Sequence, residues 1–151
     1  NKLDVGKIPL RITADESVHS LKDVEERIDL GYTAIALKPI AKTLSETLKI
    51  INRAYEKGVI CFCADLTVNP LLVEWNKNVA ARIKTLPEMK AGILESNGAQ
   101  NYANWEEMLK YSPDFGKSYA TPHNGVYKLN DEFYQESGNI FKPALYYENL
   151  F

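Results

Sequence analysis

Two charged segments of this chain each follow an apolar stretch and could do chemistry together. Asp15 and Glu16 lie near the end of LRITADES, and Lys38 lies near the end of YTAIALKP. A carboxylate can hold a metal ion and a lysine can move a proton. The pair therefore predicts metal-assisted acid–base chemistry.

Repeated strand-and-helix units would position these residues. The expected strands are short and apolar on both faces, which is typical of a parallel sheet covered by helices. Strands are expected at 8–14, 33–37, 59–64 and 91–95, and helices at 17–30, 44–57, from 70 onward and at 104–111. In an α/β barrel, the carboxyl ends of such strands form the face that carries chemistry.

The other two expected strand ends also carry ionisable groups. Asp65 follows the third strand, and Glu95 lies in the segment LESNGAQNY, which also contains Asn97. These three residues are candidates for lining a pocket or contacting a substrate. Capping and structural roles in the loops are the alternative.

The pattern changes after about residue 111. Glycine and proline recur and aromatic residues become dense, which predicts an irregular tail with one or two short strands near 125–133. We therefore divide the chain into residues 1–111, a catalytic α/β part, and 112–151, a tail.

Composition excludes several classes of protein. The chain has 151 residues with 25% charged residues and a net charge of −2, so nothing indicates a nucleic-acid partner. No apolar run approaches the roughly 20 residues of a membrane helix, so we expect no membrane association. Cys61 and Cys63 are two apart on a predicted strand, too awkwardly placed to pair with each other. They predict buried free thiols in a reducing compartment, the cytoplasm.

The run ADESVHSLKDVEERIDLGYTAIALKP resembles the second half of the catalytic barrel of the enolase superfamily. Its closest branch resembles the muconate lactonizing enzymes and dipeptide epimerases. The resemblance covers roughly residues 7–110 and implies the C-terminal half of a (β/α)8 barrel, with four parallel β-α units. The segment NGVYKLNDEFYQESG is similar, more weakly, to the tail that packs on that family's capping domain.

Residue roles follow from that resemblance. Asp15 falls on the family's third metal-binding carboxylate, which implies Mg²⁺, and Lys38 falls on its general acid/base lysine. Glu16 would point away from Asp15 on a strand, so we expect it to support a neighbour such as Lys38. The single acid Glu95, where related epimerases carry paired aspartates, weakens a dipeptide assignment.

Several parts of the family pattern have no counterpart here. The two other metal-binding carboxylates, the Lys-x-Lys pair and the capping domain do not occur in this sequence. The chain also opens with Asn1 rather than Met. These features predict part of a longer protein that is inactive by itself, and we expect the whole protein to form a homo-oligomer.

The expected function is Mg²⁺-dependent removal of the proton α to a carboxylate in a small substrate. An enediolate would follow, leading to epimerisation, racemisation, cycloisomerisation or dehydration. Two alternatives stay open at this point. One is a non-catalytic α/β subunit or scaffold, and the other is a (β/α)8 lyase that forms a Schiff base at Lys38.

Overall fold

The computed structural model of the protein describes residues 4–149. Within this range the chain forms two compact units, one of residues 4–65 and 79–95, the other of residues 66–78 and 96–149. The first unit contains a parallel sheet, and the second is helical and irregular. The domain boundary expected between 111 and 112 stays a prediction.

The helices and strands of the described residues are short. In chain order they are β1 (Thr13–Ala14), α1 (Leu21–Asp29), β2 (Ala34–Leu37), α2 (Leu44–Glu56), β3 (Ile60–Cys63), α3 (Pro70–Ala80), α4 (Gly98–Asn101), α5 (Trp105–Lys110), α6 (Asp131–Glu136) and α7 (Leu145–Glu148). Single 3₁₀ turns form at Val5–Lys7, Pro39–Ala41 and Ser137–Asn139.

The sheet of the first unit has the strand order β1-β2-β3, and both neighbouring pairs are parallel. Ala14 lies opposite Ile35, and Leu37 lies opposite Cys63. All three strands therefore end at the same edge of the sheet. We call this edge the carboxyl edge.

Helix α1 begins at Leu21, later than the expected start at residue 17, and a capping pair of Ser20 and Asp23 precedes it. The Ser20 side chain accepts a hydrogen bond from the Asp23 backbone N–H, and the Asp23 carboxylate accepts one from the Ser20 N–H at 2.8 Å. This reciprocal arrangement satisfies donors that the first helical turn leaves open. Just beyond the helix, Gly31 adopts φ +94°, a conformation that favours glycine.

Helix α2 covers the sheet with its apolar face. Thr43 caps it by accepting a hydrogen bond from the Glu46 N–H at 3.2 Å. Ile50 and Ala54 are fully buried in the core. The buried core of the first unit consists of Ala14, Val18, Val24, Ile35, Leu37, Ile50, Ile51, Ala54, Val59, Cys61, Cys63, Val79 and Ala80.

The prediction of four parallel β-α units, half of a (β/α)8 barrel, is wrong. Where a fourth strand was expected at 91–95, the described chain makes a single parallel bridge between Leu94 and Cys63. Gly92 explains why pairing stops there, since a Cβ at this residue would lie 2.4 Å from the Ala80 carbonyl oxygen. The backbone at Gly92 approaches the end of α3 instead of extending along β3.

The short strands expected near 125–133 are also wrong. The described residues there form one antiparallel bridge, between His123 and Val126, followed by helix α6. Asn130 caps this helix by accepting a hydrogen bond from the Phe133 N–H at 3.0 Å. The cap, followed by two acidic residues in the first turn, favours a helix over a strand.

Aromatic residues of the tail form part of the interior of the second unit. Tyr119 and Phe133 are fully buried, with ring centroids 5.5 Å apart in an edge-to-face arrangement. This is a preferred geometry for aromatic pairs, and it adds to the stabilisation from burial. These two rings therefore pack inside their own unit.

The cysteines behave as expected from the sequence. Cys61 and Cys63 are both free and buried on β3. Burial raises the pKa of each thiol to about 12. Both are therefore neutral thiols at physiological pH, and they act as small apolar side chains of the core.

Removal of the α1 cap tests this account of the first unit. Replacing Ser20 with Ala should lower the free energy of unfolding by about 1 kcal/mol, because the Asp23 N–H loses its partner. Urea unfolding followed by circular dichroism measures the change. The control is Ser45→Ala, at an exposed position within α2, which should be neutral or slightly stabilising. Equal losses in both proteins would contradict the capping role.

Candidate active site at the carboxyl edge

The ends of β1 and β2 bring Asp15, Glu16 and Lys38 together. Asp15 follows the last residue of β1, and Lys38 follows the last residue of β2. The lysine is 8% exposed, although it lies at the edge of the sheet. Pro39 starts a 3₁₀ turn directly after it, which ends the strand.

The ammonium group of Lys38 pairs with both acidic side chains. Its Nζ lies 2.8 Å from Asp15 Oδ1 and also contacts Glu16 Oε1. The expected contact of Glu16 with Lys38 is present, but Glu16 does not point away from Asp15 as the next residue of a strand would. Both residues lie beyond the end of β1, where the alternation of a strand no longer applies, so both side chains can turn to the lysine.

These contacts keep Lys38 protonated. Burial by itself lowers the pKa of Lys38, but the hydrogen bonds and negative charges of Asp15 and Glu16 outweigh burial. The pKa of Lys38 is therefore raised above its ordinary value of 10.5. Removal of a proton by Lys38 at neutral pH would need a lowered pKa, and the two carboxylates that reach its ammonium group have the opposite effect.

The exposed fraction differs sharply among the three side chains. The side chain of Lys38 is 9% exposed, whereas the side chains of Asp15 and Glu16 are 50% and 80% exposed. The two carboxylates are therefore accessible from solvent, and a bound anion could replace either one beside the lysine. We call Asp15, Glu16 and Lys38 the strand-end triad.

The sequence analysis missed a second lysine beside the triad. Lys42 Nζ donates a hydrogen bond to the Lys38 carbonyl oxygen at 3.3 Å. Burial, followed by the positive charge of Lys38, lowers the pKa of Lys42. The segment KPIAK carried a signal for it, because the 3₁₀ turn returns the chain toward the strand end.

Asp65 and Glu95 also meet in the first unit. Asp65 follows β3, is 8% exposed, and its backbone N–H donates to Glu95 Oε2 at 3.3 Å. Glu95 is brought there by the bridge between Leu94 and Cys63. Asn97 belongs to the second unit, where it precedes α4 and its carbonyl oxygen accepts a hydrogen bond from Asn101 Nδ2 at 2.8 Å.

The triad does not make a magnesium site by itself. Among residues 4–149, no three His, Cys, Asp or Glu side chains are grouped so that they could hold a metal ion. Asp15 is also bonded to Lys38, and Mg²⁺ needs several oxygen ligands in near-octahedral geometry. The described residues thus do not fit the Mg²⁺ that the resemblance implies.

Comparison with family models, with curated proteins and with solved structures gave no match for this chain. None of the helices found in residues 4–149 has both the length and the apolar character needed to cross a membrane. The candidate site is therefore judged on its own geometry.

The contacts of the triad predict how Lys38 titrates. Asp15→Asn and Glu16→Gln should each lower the pKa of Lys38, because each removes one negative charge from its ammonium group. Since folding raises this pKa, the stabilisation it provides is complete below pH 10.5 and is lost as pH rises through the folded value. NMR titration of the Lys38 side chain, compared with Glu56→Gln as a distant control, measures the shift. An unchanged pKa in both triad variants would contradict the pairing.

Proposed function

We propose that this chain takes part in proton transfer at the carbon next to a substrate carboxylate, with Lys38 as the acid or base. The proposal places it with the enolase superfamily in chemistry, as an isomerase or lyase. The observation that supports it is the buried ammonium group of Lys38, held at the carboxyl edge between two solvent-accessible carboxylates.

The ion-paired state suits one direction of the reaction. Protonated Lys38 gives its proton to the carbanionic carbon of the substrate, a C–H bond forms, and the lysine becomes a neutral amine. In the reverse direction the neutral amine removes the α-proton and becomes the ammonium ion. Asp15 and Glu16 stabilise that ion, so they favour the product of proton removal.

For Lys38 to act as a base, its contacts with Asp15 and Glu16 must first weaken. Since the pKa of Lys38 is raised, little neutral amine is present at physiological pH while both carboxylates are in place. A substrate that displaces Asp15 or Glu16, or a cation that binds them, would remove negative charge and lower that pKa. We propose that substrate binding has this effect.

The remaining candidate residues are assigned to substrate contact. Asp65 and Glu95 meet at the end of β3, and Glu95 is exposed. Its carboxylate would suit a positively charged or hydroxyl group of the substrate. Asn97 is kept as a further candidate. Epimerisation, racemisation, cycloisomerisation and dehydration all share the proton transfer and differ in the substrate.

Magnesium enters this proposal only in part. Asp15 is one oxygen ligand in a suitable place, and when bound the ion would stabilise negative charge on the substrate carboxylate. Because the described residues supply too few ligands, the site would need oxygens from beyond them. We assign no step of the reaction to the metal.

The raised pKa also bears on the alternatives. A lysine that forms a Schiff base must attack as a neutral amine, which the pairing with Asp15 and Glu16 opposes. A structural ion pair in a non-catalytic scaffold would show the same contacts. The experiment that tests the proposal must therefore separate loss of activity from loss of folding.

The proposed compartment and assembly do not depend on the strand-end triad. Two free, buried cysteines are typical of a reducing compartment, so we propose the cytoplasm. The net charge of −2 offers no attraction for nucleic acid. We propose a small carboxylate as the principal binding partner and a homo-oligomer as the assembly.

In this proposal Lys38 transfers the α-proton of the substrate. Lys38→Ala should therefore abolish the exchange of that proton with deuterium from the solvent. A general acid or base contributes roughly 10²- to 10⁴-fold, so the loss should be large. Proton NMR in deuterium oxide, with the intact protein and a panel of dipeptides and other small carboxylates, measures the exchange. Circular dichroism should show that the variant keeps its fold.

Lys49→Ala is the matched control, because Lys49 makes only an exposed pair with Glu46 at 3.9 Å. It should exchange α-protons at the rate of the parent protein. If Lys38→Ala unfolds the protein, or folds and leaves exchange intact, the lysine is structural and the proposal fails.

For the chain alone we expect no measurable binding of Mg²⁺. One carboxylate that is already paired with Lys38 cannot replace enough of the water around the ion. Isothermal titration with magnesium chloride tests this, with Asp15→Asn and the exposed Asp29→Asn as a pair of variants. Binding that Asp15→Asn removes and Asp29→Asn keeps would show that the chain already holds a complete site.

A further inference from the structure

The second unit contains a buried group of charges that the proposed function does not use. Glu74 and Lys77 lie on α3, and Asp114 lies in the segment after α5. Their exposures are 4%, 2% and 3%. Charged side chains are rarely buried to this extent unless they compensate one another.

Lys77 is held as an ammonium ion. Its Nζ pairs with Glu74 Oε1 and donates a hydrogen bond to the Tyr119 carbonyl oxygen at 2.8 Å. It also lies 4.2 Å from the centre of the Tyr127 ring, whose face attracts a cation. Burial lowers the pKa of Lys77 below its ordinary value of 10.5, and the charge of Glu74 opposes that effect only in part. These contacts favour the charged form.

The second oxygen of Glu74 has a different environment. Oε2 accepts no hydrogen bond from any donor in the described residues, and a Cβ added at Gly138 would lie 2.7 Å from it. The Asp114 carboxylate lies within hydrogen-bonding reach of Glu74 and also accepts a hydrogen bond from the Ser112 hydroxyl. Two ionised carboxylates offer only acceptors, so they can hydrogen-bond each other only when one carries a proton.

The balance of charge around Lys77 also indicates that one of the two carboxyl groups carries a proton. Lys77 compensates one of the two carboxylates, which leaves one negative charge in the interior of the second unit. The adjoining cavity has a volume of about 40 Å³ and is lined by Glu74 and Asp114 together with Trp105, Leu109 and Tyr127. A cavity of this size admits water, but it solvates a second carboxylate ion far less than bulk water does.

We propose that Glu74 and Asp114 share one proton in the folded protein, and that loss of this proton at alkaline pH loosens the packing of the second unit. The proton compensates the excess negative charge and joins the two carboxyl groups. It also supplies the donor that the Oε2 position of Glu74 otherwise lacks. The second unit thereby contains a pH-sensitive contact.

The titration of Glu74 agrees with this arrangement. Burial is the main cause that raises its pKa, Asp114 adds to the effect and Lys77 opposes it, and the result is about 8 against an ordinary value of 4.5. The folded protein therefore holds a proton that the unfolded chain releases between these two values. The stabilisation is complete below pH 4.5, falls as pH rises, and is lost above about 8.

Other titratable groups around the cluster do not mask this change. Tyr119 faces it from the loop before α6, and burial is the main cause that raises its pKa to about 12, so it stays neutral in this range. The acidic residues of α6 that influence Tyr119 have surface partners: Glu132 pairs with Lys117, and Glu136 pairs with Lys142. The lowered pKa of Lys77 acts in the opposite sense, since it favours folding as pH rises.

A Glu74→Gln variant isolates the proton. Glutamine has the shape of the protonated acid, its amide can donate to Asp114, and its oxygen can accept from Lys77. The parent protein should become easier to unfold by up to about tenfold in the unfolding constant for each pH unit in the window. The variant should lose this fall in stability with pH. Because the charge of Glu74 no longer opposes the lowering of the Lys77 pKa, any remaining pH dependence should have the opposite sign.

Urea unfolding followed by tryptophan fluorescence reports this unit selectively. Both tryptophans of the chain, Trp75 and Trp105, belong to the second unit. The control is Glu106→Gln, an exposed glutamate of α5, which should keep the pH dependence of the parent protein. Equal pH dependence in the parent and in Glu74→Gln would overturn the proposal.

Infrared difference spectroscopy gives a second test that does not depend on how the glutamine variant folds. The parent protein should show the carbonyl band of a protonated carboxylic acid that disappears near pH 8. In Asp114→Asn that band should disappear at lower pH, because the partner that shares the proton is gone. A parent protein without such a band would overturn the proposal. The proposal would also be overturned if added ammonium chloride abolished the pH dependence of unfolding, because a bound cation would then balance the charge.

Discussion

Among residues 4–149, each unit of this protein buries one lysine, and the cost of removing that charge from water determines which groups can surround it. A buried ammonium ion is tolerated only when carboxylates or carbonyl oxygens replace its hydration. Lys38 meets this requirement at the carboxyl edge with Asp15 and Glu16. Lys77 meets it inside the second unit with Glu74 and the Tyr119 carbonyl oxygen. In both units, acidic side chains therefore contact the buried ammonium group.

The two lysines differ in what can reach them. The partners of Lys38 are half-exposed or more, so a solute can exchange with them, and this makes the strand-end triad a candidate for chemistry. The partners of Lys77 are almost fully buried, so a proton is the exchangeable species there. The same electrostatic rule thus leads to a candidate reactive group in one unit and to the proposed pH-sensitive contact in the other.

Local signals in the sequence indicated where the helices lie, although α1 begins at Leu21 rather than at the expected residue 17, and they were poor guides to strand pairing. Ser20 and Thr43 each cap a helix by accepting a hydrogen bond from the backbone N–H three positions later, so these caps act within one turn. The fourth strand depended on pairing with β3 over a long separation in sequence, and only Leu94 makes that contact. Its apolar pattern was right for a strand, but the approach of Gly92 to Ala80 overrides that pattern.

The sequence by itself determined the alternation of strands and helices up to β3, the burial of the two cysteines, and the placement of Asp15 and Lys38 at strand ends. These features follow from periodicity and caps, which act over a few residues. Only the tertiary structure decided that Glu16 joins Asp15 on Lys38, that this pairing raises the pKa of the lysine, and that Lys42 lies beside it. The net direction of the Lys38 pKa depends on the balance between burial and the charges of residues distant in sequence, so no local pattern could have shown it.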